Sequence, residues 1–110
     1  MRLMISPEFI VLYRWRLKPG SEESFIRAWT DRTKALLELG SLGSRLHHGD
    51  DDIWYSYAQW PSAAVRTTAF EMPLDDEAAS RTKRARQEMS DAILEEFPDI
   101  VLFSVADFLQ

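Results

Sequence analysis

At 110 residues, with 45% hydrophobic and 28% charged side chains, the chain has the size and balance of one folded domain, which argues against a disordered segment or a membrane span. Its net charge of −5 opposes binding to phosphate backbones through counterion release, so no nucleic-acid partner is expected. With no cysteine there is neither a disulfide framework nor a thiolate metal site, and MRLMISPEF lacks the roughly 7 to 15-residue apolar core of a secretory signal, which together fit a cytoplasmic location.

The first element in chain order is a strand over Phe9–Leu17 (FIVLYRWRL), rich in β-branched and aromatic residues and ended by the turn signal Lys18-Pro19-Gly20. Period-2 geometry puts Phe9, Val11, Tyr13, Trp15 and Leu17 on one face and Ile10, Leu12, Arg14 and Arg16 on the other. A helix follows from Gly20 or Ser21. Glu22 and Glu23 sit in its first turn, Phe25, Ile26, Trp29, Thr33, Leu36 and Leu37 follow helical spacing, and Gly40 suits the position just past its end. Leu42–His48 and Ile53–Trp60 read as two strands joined by a four-residue loop, Gly49-Asp50-Asp51-Asp52. Pro61 stops the second strand, and Ser62 caps a helix that runs to about Phe70. After Met72-Pro73-Leu74, a long helix is expected from Asp75 to Phe97, closed by Pro98, and a last strand over Ile100–Leu109.

The order β-α-β-β-α-β predicts an α+β fold of the ferredoxin-like type: four antiparallel strands with helices on one face, in a single domain over 1–110. Strands 1 and 4 are apolar on both faces, while helices can cover only one. The uncovered face predicts a homodimer joined through the sheets.

FIVLYRWRLKPGSEESF, the Trp-bearing helix, GSLGSRLH, a short acidic turn and WYSYAQWPS together resemble the antibiotic biosynthesis monooxygenase-like family of dimeric α+β barrel proteins. The resemblance spans Glu8 to Phe70. It implies a ferredoxin-like protomer with a small cavity between sheet and helices. Some members of that family look like cofactor-independent monooxygenases of aromatic polyketides, and others degrade haem. The haem-degrading members use an Asn on strand 1 and a Trp and a His after strand 3. Here the strand 1 position is Trp15 and Ala63–Asp91 holds no His, which counts against haem degradation, and no cofactor is expected.

Three groups of residues can carry chemistry. His47 and His48 are neighbours on a strand and point to opposite faces, so they cannot share one metal ion without a bulge; no metal site is expected. Asp50-Asp51-Asp52 reads as a solvated hairpin tip, because consecutive turn carboxylates do not converge as alternate ones do in a calcium loop. The aromatic set is the third. Tyr13, Trp15, Trp54, Tyr57 and Trp60 are the candidate cavity residues for a small aromatic molecule, with Trp29 read as core packing. Arg45 is the candidate oxyanion donor and His47 the candidate base; ion pairing across the dimer is the other explanation for Arg14, Arg16 and Arg45. The expected function is a cofactor-independent monooxygenase, or a related enzyme, acting on an aromatic, phenol-like substrate. The alternative is a non-catalytic dimeric module that binds a small ligand or serves a stress response.

Overall fold

The computed structural model describes residues 9–108. Strand β1 (Phe9–Leu17) leads into helix α1 (Glu22–Glu38), strands β2 (Gly43–His48) and β3 (Trp54–Trp60) form a hairpin, helices α2 (Ala63–Glu71) and α3 (Asp76–Ala92) follow, and strand β4 (Ile93–Phe103) ends the order. The four strands make one antiparallel sheet in the order β2-β3-β1-β4, the ferredoxin-like arrangement that the sequence pattern predicts.

Helix ends follow local chemistry. The Ser62 hydroxyl accepts from the backbone N–H of Val65 at 3.2 Å, and Asp75 accepts from Ala78 at 2.8 Å, so α2 and α3 are each capped by a side chain. Gly40, just past α1, has φ of +111°, and a Cβ there would lie 2.9 Å from Val65 Cγ1. Both the backbone conformation and the close approach of α2 require glycine.

The odd-numbered residues of β1 face the helices. One buried cluster gathers Phe9, Val11, Trp60 and Ala69, and a second gathers Trp15, Leu17, Phe25 and Ala92. Tyr13 packs against both. Small residues on α3, Ala85 and Ala92, are buried and let that helix approach closely.

Three boundaries differ from expectation. Helix α3 stops at Ala92 instead of Phe97, because Ile93–Phe97 extend along β1, with Ile93 opposite Leu17 and Glu95 opposite Arg16. Arg16 Nε meets Glu95 Oε1 at 3.4 Å on this edge. Pro98 therefore does not close a helix; it lies within β4, where the register shifts between Leu12 and Arg14. A bulge on an edge strand tolerates a residue without an N–H, and the Pro98 carbonyl accepts from Arg14 Nη2 at 3.0 Å. At its other end β4 stops at Phe103, short of the expected Leu109, which lies outside the described residues. The third difference is in the hairpin: His48 pairs with Trp54, so the loop holds five residues, Gly49–Ile53, closed by Gly49 N–H donating to the Ile53 carbonyl at 2.8 Å.

The second face of the sheet carries Ile10, Leu12, Arg14 and Arg16 from β1, with Tyr57 opposite Leu12 and Arg45 opposite Tyr57. No helix among the described residues is long and apolar enough to cross a membrane.

Candidate functional site

Between the two clusters a cavity of about 160 Å³ opens on the helix-facing side of the sheet. An apolar cavity of about 150 Å³ holds one benzene ring, so this space admits the body of a single-ring aromatic molecule. Its floor is Tyr13, Trp15, Ser56, Ala58 and Trp60 from β1 and β3. Trp29, Arg32, Thr33 and Leu36 of α1 form one wall, and Arg66 and Phe70 of α2 another.

These side chains are at the cavity for local reasons. On β1, Tyr13 and Trp15 are two residues apart on one face, their rings stacked at 5.9 Å. On β3, Ser56 lies opposite Tyr13, Ala58 opposite Val11 and Trp60 opposite Phe9. The spacing Trp29, Arg32, Thr33, Leu36 is one turn-by-turn stripe of α1. Trp60 meets Phe70 edge-on at 6.0 Å.

Polar groups are few and mostly donors. Trp29 Nε1 donates to Ser56 Oγ at 2.9 Å, which positions the indole across the floor. Arg66 Nη2 donates to the Tyr13 hydroxyl at 2.8 Å, which leaves the phenol's own proton free for another acceptor. The guanidinium carbons of Arg66 and Arg32 lie 4.4 and 5.5 Å from the centre of the Phe70 ring. Burial, followed by the positive charge of Arg86, pushes Arg32 below the usual arginine range; Arg66 adds to this and Tyr13 opposes it. Arg66 Nε and Trp60 Nε1 are buried with no hydrogen-bond partner.

Of the residues expected to form the site, Tyr13, Trp15 and Trp60 line the cavity. Trp54 shares their face but does not line it; it packs near Phe25, at 6.3 Å, and stacks on His48 at 4.4 Å. Tyr57 lies on the other face, opposite Leu12. Arg45 pairs with Tyr57 and His47 with Tyr55, so both are on that second face, and both are exposed. The expected base and oxyanion donor are thus separated from the cavity by the sheet itself.

Arg32, Arg66, Trp29, Ser56 and Met89 are among the lining residues that the sequence did not assign to a site. A signal for two of them was present: an arginine three residues after Trp29, inside an otherwise apolar helical stripe, and an arginine four residues before Phe70.

The acidic hairpin tip is ordered by its own side chains. Asp51 accepts from the Ile53 backbone N–H at 3.0 Å and from the Tyr55 hydroxyl at 2.7 Å, and Asp52 lies 2.8 Å from His48 Nε2. The Tyr55 hydrogen bond, then that from Ile53, holds the Asp51 carboxyl below its ordinary value. Among the described residues no three His, Asp or Glu side chains converge as a metal site.

Comparison with known proteins bears on the family. No functionally curated protein matches the chain in sequence. Among solved structures, SnoaB from Streptomyces nogalater, a cofactor-independent oxygenase, superposes with a TM-score of 0.72 at 10% identity, covering 96% of this chain and 100% of its own. PA3566 from Pseudomonas aeruginosa gives 0.65 at 17% identity, covering 94% and 99%. Rv0793 from Mycobacterium tuberculosis gives 0.69 at 13%, covering 94% and 100%. At these identities the likeness is one of fold. The sequence model of the antibiotic biosynthesis monooxygenase family, however, matches residues 8–71, more than half of the chain; the chain belongs to the antibiotic biosynthesis monooxygenase family.

Proposed function

We propose that this protein is a cofactor-independent oxygenase of a small aromatic, phenol-like substrate, bound in the cavity above β1 and β3. The observation that carries this reading is the Arg66–Tyr13 pair, 2.8 Å apart at the edge of an aromatic-walled space. A guanidinium behind a phenol O–H is a pre-oriented donor for an oxygen that becomes negative during reaction, and it is strongest where water is excluded. Family membership and the fold shared with SnoaB support the reaction class.

In this chemistry the substrate is its own reductant. A ring carbon activated by a neighbouring carbonyl or phenol loses a proton, and the donors at Tyr13 and Arg66 stabilise the resulting enolate or phenolate. The carbanion passes an electron to O₂, and the two radicals combine into a C–O bond. The peroxide takes up a proton, and loss of water leaves a carbonyl, so one oxygen atom enters the product and the other leaves as water. The aromatic walls keep solvent from the reactive anion. We assign Arg45, His47 and Tyr57 to the second face of the sheet, where a homodimer contact would cover them together with Leu12 and Ile100. A reducing cytoplasm is part of the same proposal, supported by the lack of cysteine.

Oxygen uptake with a single-ring dihydroxybenzene, the size that the cavity admits, tests the reaction. Turnover that falls about 10²-fold or more in Arg66→Gln and Tyr13→Phe is expected; uptake by the native protein no greater than by a Trp60→Ala control refutes it. Sedimentation equilibrium tests the dimer, and a monomer at micromolar concentration refutes that part. One observation favours a second reading, a non-catalytic ligand-binding module: among the described residues no Asp, Glu, His or Lys lines the cavity, so proton removal falls to solvent or to the substrate's own acidity. Tight aromatic binding without oxygen uptake distinguishes the two.

A further inference from the structure

We propose that the ligand of this cavity is an aromatic acid, a planar ring bearing a permanent carboxylate, and that Arg32 and Arg66 recognise the carboxylate. This rests on the reading of the cavity as the ligand site and adds the chemical class that the site selects.

The inventory of hydrogen-bonding groups is lopsided. Arg32, Arg66, the Tyr13 hydroxyl and the Trp60 indole N–H are donors, while among the described residues the side-chain oxygen acceptors in the lining are hydroxyls such as Ser44 and Thr33. Two of those donors, Arg66 Nε and Trp60 Nε1, are buried with nothing to donate to. A buried N–H without a partner is destabilising, and native sites that hold one leave it for a ligand or water. A neutral phenol offers one oxygen to this set; a carboxylate offers two oxygens with about four acceptor positions, matched to a guanidinium fork.

Charge points the same way. The chain carries 18 acidic and 13 basic residues, yet among the described residues no carboxylate lies within ion-pairing distance of Arg32 or Arg66. Arg16 pairs with Glu95, and His48 Nε2 hydrogen-bonds Asp52, both away from the cavity. Burial and the like charges of Arg86 and Arg66 depress Arg32's basicity, with Tyr13 opposing, and an anion beside the two guanidiniums would counter both effects. The two guanidiniums also flank one ring, Phe70, at 4.4 and 5.5 Å. An aromatic acid with its ring against the tryptophan floor and its carboxylate at this pair satisfies the walls and the donors together. Inorganic phosphate satisfies only the donors, which is why a bare anion is not the expected ligand.

Isothermal titration of the purified protein with benzoate, benzamide and inorganic phosphate tests the assignment. Benzoate is expected to bind at least tenfold more tightly than either of the others. Arg32→Gln and Arg66→Gln are each expected to reduce that preference to less than threefold, with circular dichroism and the melting curve reporting that each variant is folded. Equal affinity for benzoate and benzamide overturns the acid assignment while leaving the cavity a ligand site, and so does a preference that survives both substitutions. Binding of neither aromatic overturns both. Benzoate binding that keeps its arginine dependence in a protein without oxygen uptake supports this inference and defeats only the oxygenase reading.

Discussion

Replacing Ala58 with leucine tests directly whether the space above the sheet is a true void. Ala58 is nearly fully buried, at the centre of β3, and forms part of the cavity floor. The substitution adds three carbon atoms. If they enter open space, each removes apolar surface from water at about 0.8 kcal/mol, a gain of roughly 2.4 kcal/mol. Fixing the leucine rotamer offsets about 0.5 to 1 kcal/mol of this, leaving a net stabilisation of about 1.5 kcal/mol. For a chain of this length that corresponds to a rise in melting temperature of about 6 °C. In a close-packed interior the same change forces neighbours off their rotamers and is destabilising by about 1 to 3 kcal/mol. The two cases therefore differ in sign. Urea denaturation of native protein and Ala58→Leu, with the titration slope checked for constancy, reads the difference, and loss of benzoate binding should accompany the gain in stability. A midpoint that falls refutes the cavity and, with it, the site built on it.

Removing the Ser56 hydroxyl orphans the Trp29 indole N–H, so Ser56→Ala should destabilise by about 1 to 3 kcal/mol, and Trp29→Phe should cost less in that background than it does alone; a denaturation double-mutant cycle checks the coupling. Gly40→Ala meets both a φ of +111° and Val65 Cγ1 at 2.9 Å, and should cost about 1 to 3 kcal/mol, of which Val65→Ala restores only the steric part. At the hairpin tip, the Tyr55–Asp51 hydrogen bond lowers the pKa of Asp51 from 3.8 and raises that of Tyr55 from 10.0. A lowered carboxyl stabilises the fold above its ordinary value and stops doing so as pH falls through the lower native one. A raised phenol stabilises below its ordinary value and stops as pH rises through the higher native one. The tip should therefore be ordered between about pH 4 and 10 and loosen on both sides; amide exchange at Ile53 measures it, and an Asp51→Asn variant should show no acid limb.

Most of the fold was legible because the sequence alternates where strands form and repeats helically where helices form. FIVLYRWRL announces β1, and capping residues mark the starts of α2 and α3. The misread segment, ILEEF, is made of good helix formers after a long helix; pairing with β1 overrode that local preference, and long-range pairing leaves no local trace. The site divides along similar lines. Tyr13, Trp15 and Trp60 could be placed by counting in twos. Tyr57 could have been excluded the same way, since it lies an odd number of residues from Trp60. Arg45 and His47 could not. A four-residue loop would set His48 against Ile53 and turn His47 toward the helices; the actual five-residue loop sets His48 against Trp54 and turns His47 away. One residue of loop length, fixed by Asp51 and Asp52 bonding within the tip, decides which face each residue of β2 presents.

Tyr13 packs against both halves of a divided interior. A molecule seated there acts as a second keystone, so folding and binding draw on the same free energy. At a free ligand concentration one hundred times its dissociation constant, native protein gains about 2.7 kcal/mol over the unfolded chain. Melting curves in a library of small aromatics therefore test the proposed ligand site with no reaction required, and α2, which supplies Arg66 and Phe70 to the cavity, is the helix whose amides should slow their exchange first if a ligand binds there.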